Sequence, residues 1–289
     1  MRTIDLNRCL VRYAQGQCDA CEAICPQGAV HQHVIDPKKC DDCGLCQAVC
    51  PAGAIAGTDD CAGALARTRH LTRQVLMCRR VEEAAPSCLG FLNRRLLWSL
   101  TRERELAIDI SRCETCRPAV FHWLEQEIAA CQQVLAKEGL PPIRLVRVHP
   151  REQAPAAPVV ERRKFFRSLF HSATEGLQTL AEAQQTKLYA FDSALWIAAQ
   201  GGEPGELFPQ LTISSACNTC GLCTVLCPER ALSMRQPEGM PKTLYVSALA
   251  CSGCGLCEAS CPVKAITCKK NGADVRLPAD GGRGKHNVC

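Results

Sequence analysis

The chain has 289 residues, 24 of them cysteine, a formal charge of +5 and a mean hydropathy of −0.06. That length holds about two domains, and a secreted disulfide scaffold this rich in cysteine would be shorter and would open on an export signal. Residues 1–9 show no such apolar stretch and no run approaches the roughly 18 apolar residues of a membrane span, so the expected compartment is cytoplasmic, with reduced thiols available to metal.

Residues 1–57 hold two cysteine motifs. The second, Cys40-Asp-Asp-Cys43-Gly-Leu-Cys46-Gln-Ala-Val-Cys50-Pro51, reads C-x2-C-x2-C-x3-C-P in full. The first, Cys18-Asp-Ala-Cys21-Glu-Ala-Ile-Cys25-Pro26, has Gln15 where the leading cysteine would stand, and Cys9 lies further back. A loop over residues 10–17 could bring Cys9 round at small entropic cost. The alternative is a buried free cysteine beside three thiolates. Each motif is followed by a matching phrase, Gln27-Gly-Ala-Val30 and Ala52-Gly-Ala-Ile55. The alanine leaves room for the backbone to pass close to a bound group, and the aliphatic residue after it starts a short strand.

Residues 71–150 read as a small α/β domain. Gln74-Val-Leu-Met77 is an apolar run ending at Cys78, and Leu89, Leu92, Leu96 and Leu100 recur at helical spacing, with Cys88 opening that helix. Leu106-Ala-Ile-Asp-Ile110 is a strand leading to Cys113-Glu-Thr-Cys116. Val120, Leu124, Ile128, Cys131 and Leu135 line a second helix, stopped by Gly139 and Pro141-Pro142, and Ile143 to Val148 make a third strand. Alternating strands and helices imply a parallel sheet. Cys131 falls in the apolar stripe and reads as core. Cys78, Cys88, Cys113 and Cys116 fall near strand ends on one side, where right-handed crossovers would gather them. Helix N-termini beside those loops would favour thiolate over thiol.

Residues 153–158 form a Pro/Ala linker. Over 160–200 an amphipathic helical connector is expected, with one stripe through Phe166, Leu169, Phe170, Ala173, Leu177 and Leu180 and another through Leu188, Phe191, Leu195 and Ala199. Both should pack on neighbouring modules or a partner. The basic stretch 162–167 reads as a solvated helix start, or else as a docking site for an acidic partner or a membrane surface.

Residues 207–270 repeat the N-terminal pattern with no gap in it. Cys217-Asn-Thr-Cys220-Gly-Leu-Cys223-Thr-Val-Leu-Cys227-Pro228 is followed by Cys251-Ser-Gly-Cys254-Gly-Leu-Cys257-Glu-Ala-Ser-Cys261-Pro262, with Glu229-Arg-Ala-Leu232 and Val263-Lys-Ala-Ile266 behind them. Cys61, Cys268 and Cys289 have no ligand spacing, and the tail 271–289 is expected to be disordered.

The paired C-x2-C-x2-C-x3-C-P motifs resemble the bacterial-type 2[4Fe–4S] ferredoxin family. Zinc would more usually take two C-x2-C pairs than a fourfold run closed by proline. The resemblance implies two ferredoxin-like modules flanking the α/β domain, an α+β chain overall. It also implies four [4Fe–4S] clusters whose ligand sets cross over within each module. Cys9, Cys18, Cys21 and Cys50 would hold the first, and Cys40, Cys43, Cys46 and Cys25 the second. Cys217, Cys220, Cys223 and Cys261 would hold the third, and Cys251, Cys254, Cys257 and Cys227 the fourth. At about −2 per cluster with its thiolates, the net charge would fall to about −3, so the basic composition is no sign of nucleic acid.

The layout of Cys78, Cys88, Cys113 and Cys116 is similar to small iron–sulfur domains of thioredoxin-like or hydrogenase-delta type. That implies a further [2Fe–2S] cluster, with zinc, a redox-active Cys113/Cys116 pair or plain packing as alternatives. Isolated His31, His33 and His122 read as surface or packing residues, and no Walker loop, dinucleotide turn or Ser/His/Asp set is present. The expected function is electron transfer, as a subunit or dedicated partner of a larger oxidoreductase, with no substrate site of its own, no transmembrane segment, and peripheral membrane association through a partner as an option. Two rivals are a disulfide-reducing enzyme working through Cys113/Cys116 and a non-catalytic iron–sulfur assembly or docking protein.

Overall fold

A computed structural model of the chain describes residues 1–14, 16–68, 74–102, 104–147, 187–236, 238–239 and 241–269. The linker at 153–158, the basic stretch at 162–167, the stripe from Phe166 to Leu180, the tail and Cys289 lie outside the described residues.

The two ends of the chain are wired alike. At the N-terminal end, β1 (Arg2–Ile4) pairs antiparallel with β4 (Ile55–Gly57), and β2 (Val30–His31) with β3 (Val34–Ile35). Short helices α1 (Ala20–Ala23) and α2 (Leu45–Val49) lie between them. At the C-terminal end, β9 (Gln210–Ile213) pairs with β12 (Ile266–Lys269), and β10 (Leu232–Arg235) with β11 (Thr243–Val246). Here the short helices are α8 (Leu222–Leu226) and α9 (Leu256–Ala259). In each module the strand before the first motif closes on the strand after the second. The two motifs therefore face each other across the module, as two copies of one unit should.

Between them lies the parallel sheet that the alternating pattern predicts, in the order β5 (Gln74–Leu76), β6 (Leu106–Asp109), β7 (Arg144–Val146). The crossovers run through α4 (Arg94–Thr101) and α6 (Pro118–Lys137). Val120, Leu124, Ile128, Cys131 and Leu135 are all buried, each apolar side chain contributing about 1.5–3 kcal/mol. Gly139, at φ +68, ends α6, and the Leu140 N–H turns back to the Leu135 carbonyl at 2.9 Å. Arg94 and Glu127 tie α4 to α6 through a buried guanidinium–carboxylate pair, Nη2 to Oε1 at 2.6 Å.

Two sequence expectations are corrected. The helix predicted from Cys88 starts only at Arg94, because Asn93 caps it by accepting from the Leu96 N–H at 3.0 Å. Cys88, Leu89, Phe91 and Leu92 are buried in the loop before it. Likewise the stripe Leu188, Phe191, Leu195 and Ala199 is not one helical face. Tyr189–Ala190 forms β8 on the edge of β4, and only Ser193–Gln200 is helical (α7), capped by Asp192. The side chains it buries are Phe191, Ala194 and Ile197, while Leu188 and Leu195 face solvent. A strand turning into a helix changes period, so one stripe cannot serve both.

One core runs from the N-terminal module through the α/β region. Leu45, Leu65, Leu89, Leu92, Leu96, Trp98, Trp123 and Phe191 belong to it. Helix α3 (Cys61–Thr68) bridges the two, with Cys61 buried at its start.

Candidate metal centres

The four motif copies share a turn that spacing alone does not reveal. The residue before each phrase alanine is left-handed: Gly28 at φ +53, Gly53 at +51, Arg230 at +50 and Lys264 at +47. That twist aims the next N–H backwards. Ala29, Ala54, Ala231 and Ala265 donate to the sulfurs of Cys25, Cys50, Cys227 and Cys261, each at 3.3 Å. The cysteine before proline thus receives an amide hydrogen bond in every copy.

The sulfurs gather in sets that mix the two motifs of each module. Cys40, Cys43 and Cys46 line one hollow together with Cys25 from the preceding motif and the buried Arg2. Cys217, Cys220 and Cys223 line another with Cys261 from the following motif. Around Cys21 the interacting thiols are Cys50, Cys18, Cys46 and Cys9, and around Cys257 they are Cys254, Cys251 and Cys227. Cys9 is brought round by a 3₁₀ turn, Leu10–Arg12, and is buried beside Cys21 and Cys50.

Burial sets the resting protonation of these thiols. It pushes Cys21 and Cys257 up to about 12, with their neighbours adding to the rise. Cys46 is also pushed to about 12, against the opposing charge of Arg2. Cys261 shows the contrast. Its pKa lies below the ordinary thiol value, because the Ala265 amide it accepts from outweighs the desolvation of a half-buried thiol. A buried set therefore needs a cation to become thiolate, which coordinated iron supplies.

Arg2 is buried at 3 % exposure; its guanidinium bonds Gln47 and the Asp42 carbonyl and lies 3.6 Å from Asp59. Sequence reading passed it over because its pattern is that of an ordinary edge strand. A second overlooked residue is Cys268, whose thiol contacts Cys251. Its signal was the strand alternation that puts it on the same face as the buried Ile266.

In the α/β region Cys78, Cys88, Cys113 and Cys116 come together at the carboxyl edge of β5 and β6. Cys113 begins α5 (Cys113–Cys116), and its thiol is raised to about 12 by burial first, then by Cys88, Cys78, Asp109 and Cys116. Desolvation acts against the thiolate that a helix N-terminus would favour. Arg117 sits beside this set. It bonds the Cys88 thiol and reaches Asp41 of the second motif, Nε to Oδ2 at 3.2 Å.

Among the described residues no group of three or more His, Cys, Asp or Glu closes tightly enough to hold a single metal ion. His31 and His122 pair with Glu22 and Glu125 on the surface. Cys131 is fully buried in the core, as its stripe predicts.

Motif, wiring and hollows define ferredoxin-type iron–sulfur modules at the two ends of the chain. Comparison with known families agrees: the 4Fe-4S binding domain matches residues 33–56 and the 4Fe-4S dicluster domain matches residues 216–265. No curated protein matches the chain. The chain carries ferredoxin-type [4Fe–4S] domains on both sides of its α/β region, a fold for iron–sulfur electron transfer. Among the described residues no helix is long and apolar enough to cross a membrane.

Proposed function

We propose that this chain is an electron-transfer subunit, or dedicated partner, of a larger oxidoreductase. Its four crossed-over cysteine sets hold four [4Fe–4S] clusters, and Cys78, Cys88, Cys113 and Cys116 hold a fifth, smaller iron–sulfur centre. The clusters supply one-electron chemistry when bound; the chain holds them, keeps water away and adjusts their potentials. Each amide donated to a sulfur stabilises the more negative, reduced state.

The observation that carries the reading is the mixing of motifs in each hollow, Cys25 with Cys40, Cys43 and Cys46, and Cys261 with Cys217, Cys220 and Cys223. Zinc is more usually served by two C-x2-C pairs than by three cysteines of one motif and a fourth from its neighbour. Anaerobically purified protein should contain about 16 iron and 16 sulfide for the four cubanes, and about two more of each for a [2Fe–2S] centre. A total near eight would sink the four-cluster reading. Disulfide exchange through Cys113 and Cys116 is less well supported, because burial holds Cys113 as the thiol and Cys78 and Cys88 complete a four-sulfur set around it.

A further inference from the structure

The five sulfur sets are linked through neighbouring residues in a particular order. In the N-terminal module, Cys21 of the first set lies within electrostatic reach of Cys46 of the second. The first set also meets the C-terminal module. Leu10 and Ala52 pack on Leu256, with Cys18 of the first set and Cys254 of the fourth against the same contact. Within the C-terminal module, β10, starting at Leu232, and β12, starting at Ile266, join the fourth set to the third through one small core holding Cys257, Cys223, Cys227 and Cys261.

The α/β sulfur set joins at the opposite end, while Arg95 of α4 separately donates to the Cys251 carbonyl of the fourth set at 2.8 Å. Gly90, two residues after Cys88, runs so close to the second motif that an added Cβ would fall 2.3 Å from the Cys43 carbonyl oxygen. Arg117 spans the same gap, with the Cys88 thiol on one side and the Asp41 carboxylate and carbonyl on the other. Its side chain is only 18 % exposed, so its charge is poorly screened.

Exposure distinguishes the two ends. Cys220 of the third set is open to solvent, and Leu222 and Val263 beside it are 41 % and 38 % exposed. At the other end Cys78, Cys88 and Cys113 are buried and Cys116 is half-buried.

We infer that the five sets form a single file: the α/β set, then the second, first, fourth and third. The third set is the end that meets an external redox protein, and Arg117 is the junction between the α/β set and the second. This rests on the proposal that each set holds a cluster. Every transfer along the file moves one electron between adjacent centres, with the redox protein at the third set as donor or acceptor.

The order can be read without any enzymatic assay, from magnetic coupling in the fully reduced, full-length protein. Neighbouring paramagnetic centres split and broaden each other's electron paramagnetic resonance signals. The double substitution Cys217→Ala/Cys220→Ala should change the signal of the fourth set alone. Cys40→Ala/Cys43→Ala should change both the first set and the α/β set. A response of the first or second set to loss of the third overturns the order. So does an α/β set that gives no signal, or one unmoved by loss of the second. Arg117→Gln should move the potentials of the α/β and second sets to more negative values, since a cation that favours the reduced state is gone, and leave the third and fourth in place. Arg117→Lys, which keeps the charge, should fall between. Equal shifts at all centres, or none at the two neighbours, would remove the junction role. Iron and sulfide content is measured in the same samples. A wild-type content near eight counts against the four-cluster reading and one near 16 against the fifth centre, whereas a content of about 18 with the wrong coupling pattern counts against the order alone.

Discussion

Gly28 and Gly53 occupy the same left-handed position in two copies of the motif, yet alanine at the two sites should have different effects. At Gly28 an added Cβ meets nothing within 4 Å, so Gly28→Ala costs only the strain of a left-handed alanine, about 1–2 kcal/mol. At Gly53 the same Cβ would fall 2.4 Å from Oδ2 of Asp192 and 2.7 Å from its Cβ, so the whole side chain must move. Asp192 caps α7 by accepting from Ala194 and Leu195, and it takes a 2.6 Å bond from Arg8. Losing the cap costs about 1 kcal/mol. Losing the charge-assisted bond costs about 1–2 kcal/mol, at the low end because Arg8 is partly exposed. Gly53→Ala should therefore destabilise by about 3–5 kcal/mol in all. Amide hydrogen exchange under anaerobic conditions reads the local part. The Ala194 and Leu195 amides should exchange about 30-fold faster in Gly53→Ala, from roughly 2 kcal/mol of local loss. In Gly28→Ala they should stay near the wild-type rate. Equal protection in the two variants would refute the assignment of Asp192 as the neighbour that makes Gly53 necessary.

Three further outcomes are expected. Cys9→Ala should leave the first cluster one ligand short and give an oxidised [3Fe–4S] resonance, with the other clusters intact; unchanged spectra and iron content would show that Cys9 is no ligand. Glu127→Ala strands the Arg94 guanidinium beside a buried site and should lower the stability of the α/β region by about 3–5 kcal/mol in denaturant titration, a loss under 1 kcal/mol being incompatible with a buried pair. Burial pushes the Cys131 thiol from its ordinary 9.0 up to about 12, so the stability it contributes is full below pH 9 and is lost as pH climbs through about 12. Iodoacetamide at pH 9 should leave Cys131 unmodified in the folded protein, as followed by mass spectrometry, and reaction at the rate of a free thiol would contradict its place in the core.

The parts of this protein legible in the sequence are those encoded by local spacing. Four C-P phrases and their cysteines announced the repeat, its short strands and the ferredoxin wiring, because a motif that ligates a cluster is confined to a dozen residues. The parallel sheet was legible too, since β5, β6 and α6 each carry an unbroken period of their own. Less was legible where two signals overlapped. Leu89 and Leu92 keep helical spacing with Leu96, but Asn93 competes for the role of cap and wins, so the helix starts late. Leu188 and Leu195 share a stripe on paper, although a strand and a helix meet between them.

The sequence by itself determined which residues could bind iron and sulfur, because the cysteine spacing within each motif is a local property. Only the tertiary structure decided what surrounds those sulfurs and how the sets of the two modules and of the α/β region stand to one another. Arg2 reaches the second set from a strand at the start of the chain, and Arg117 reaches it from the crossover between β6 and β7. Leu10 meets Leu256 across nearly the whole sequence. A charge or an apolar contact acts through a few ångströms of space whatever the separation along the chain. No periodicity in the sequence records such a meeting, and the fold alone creates it.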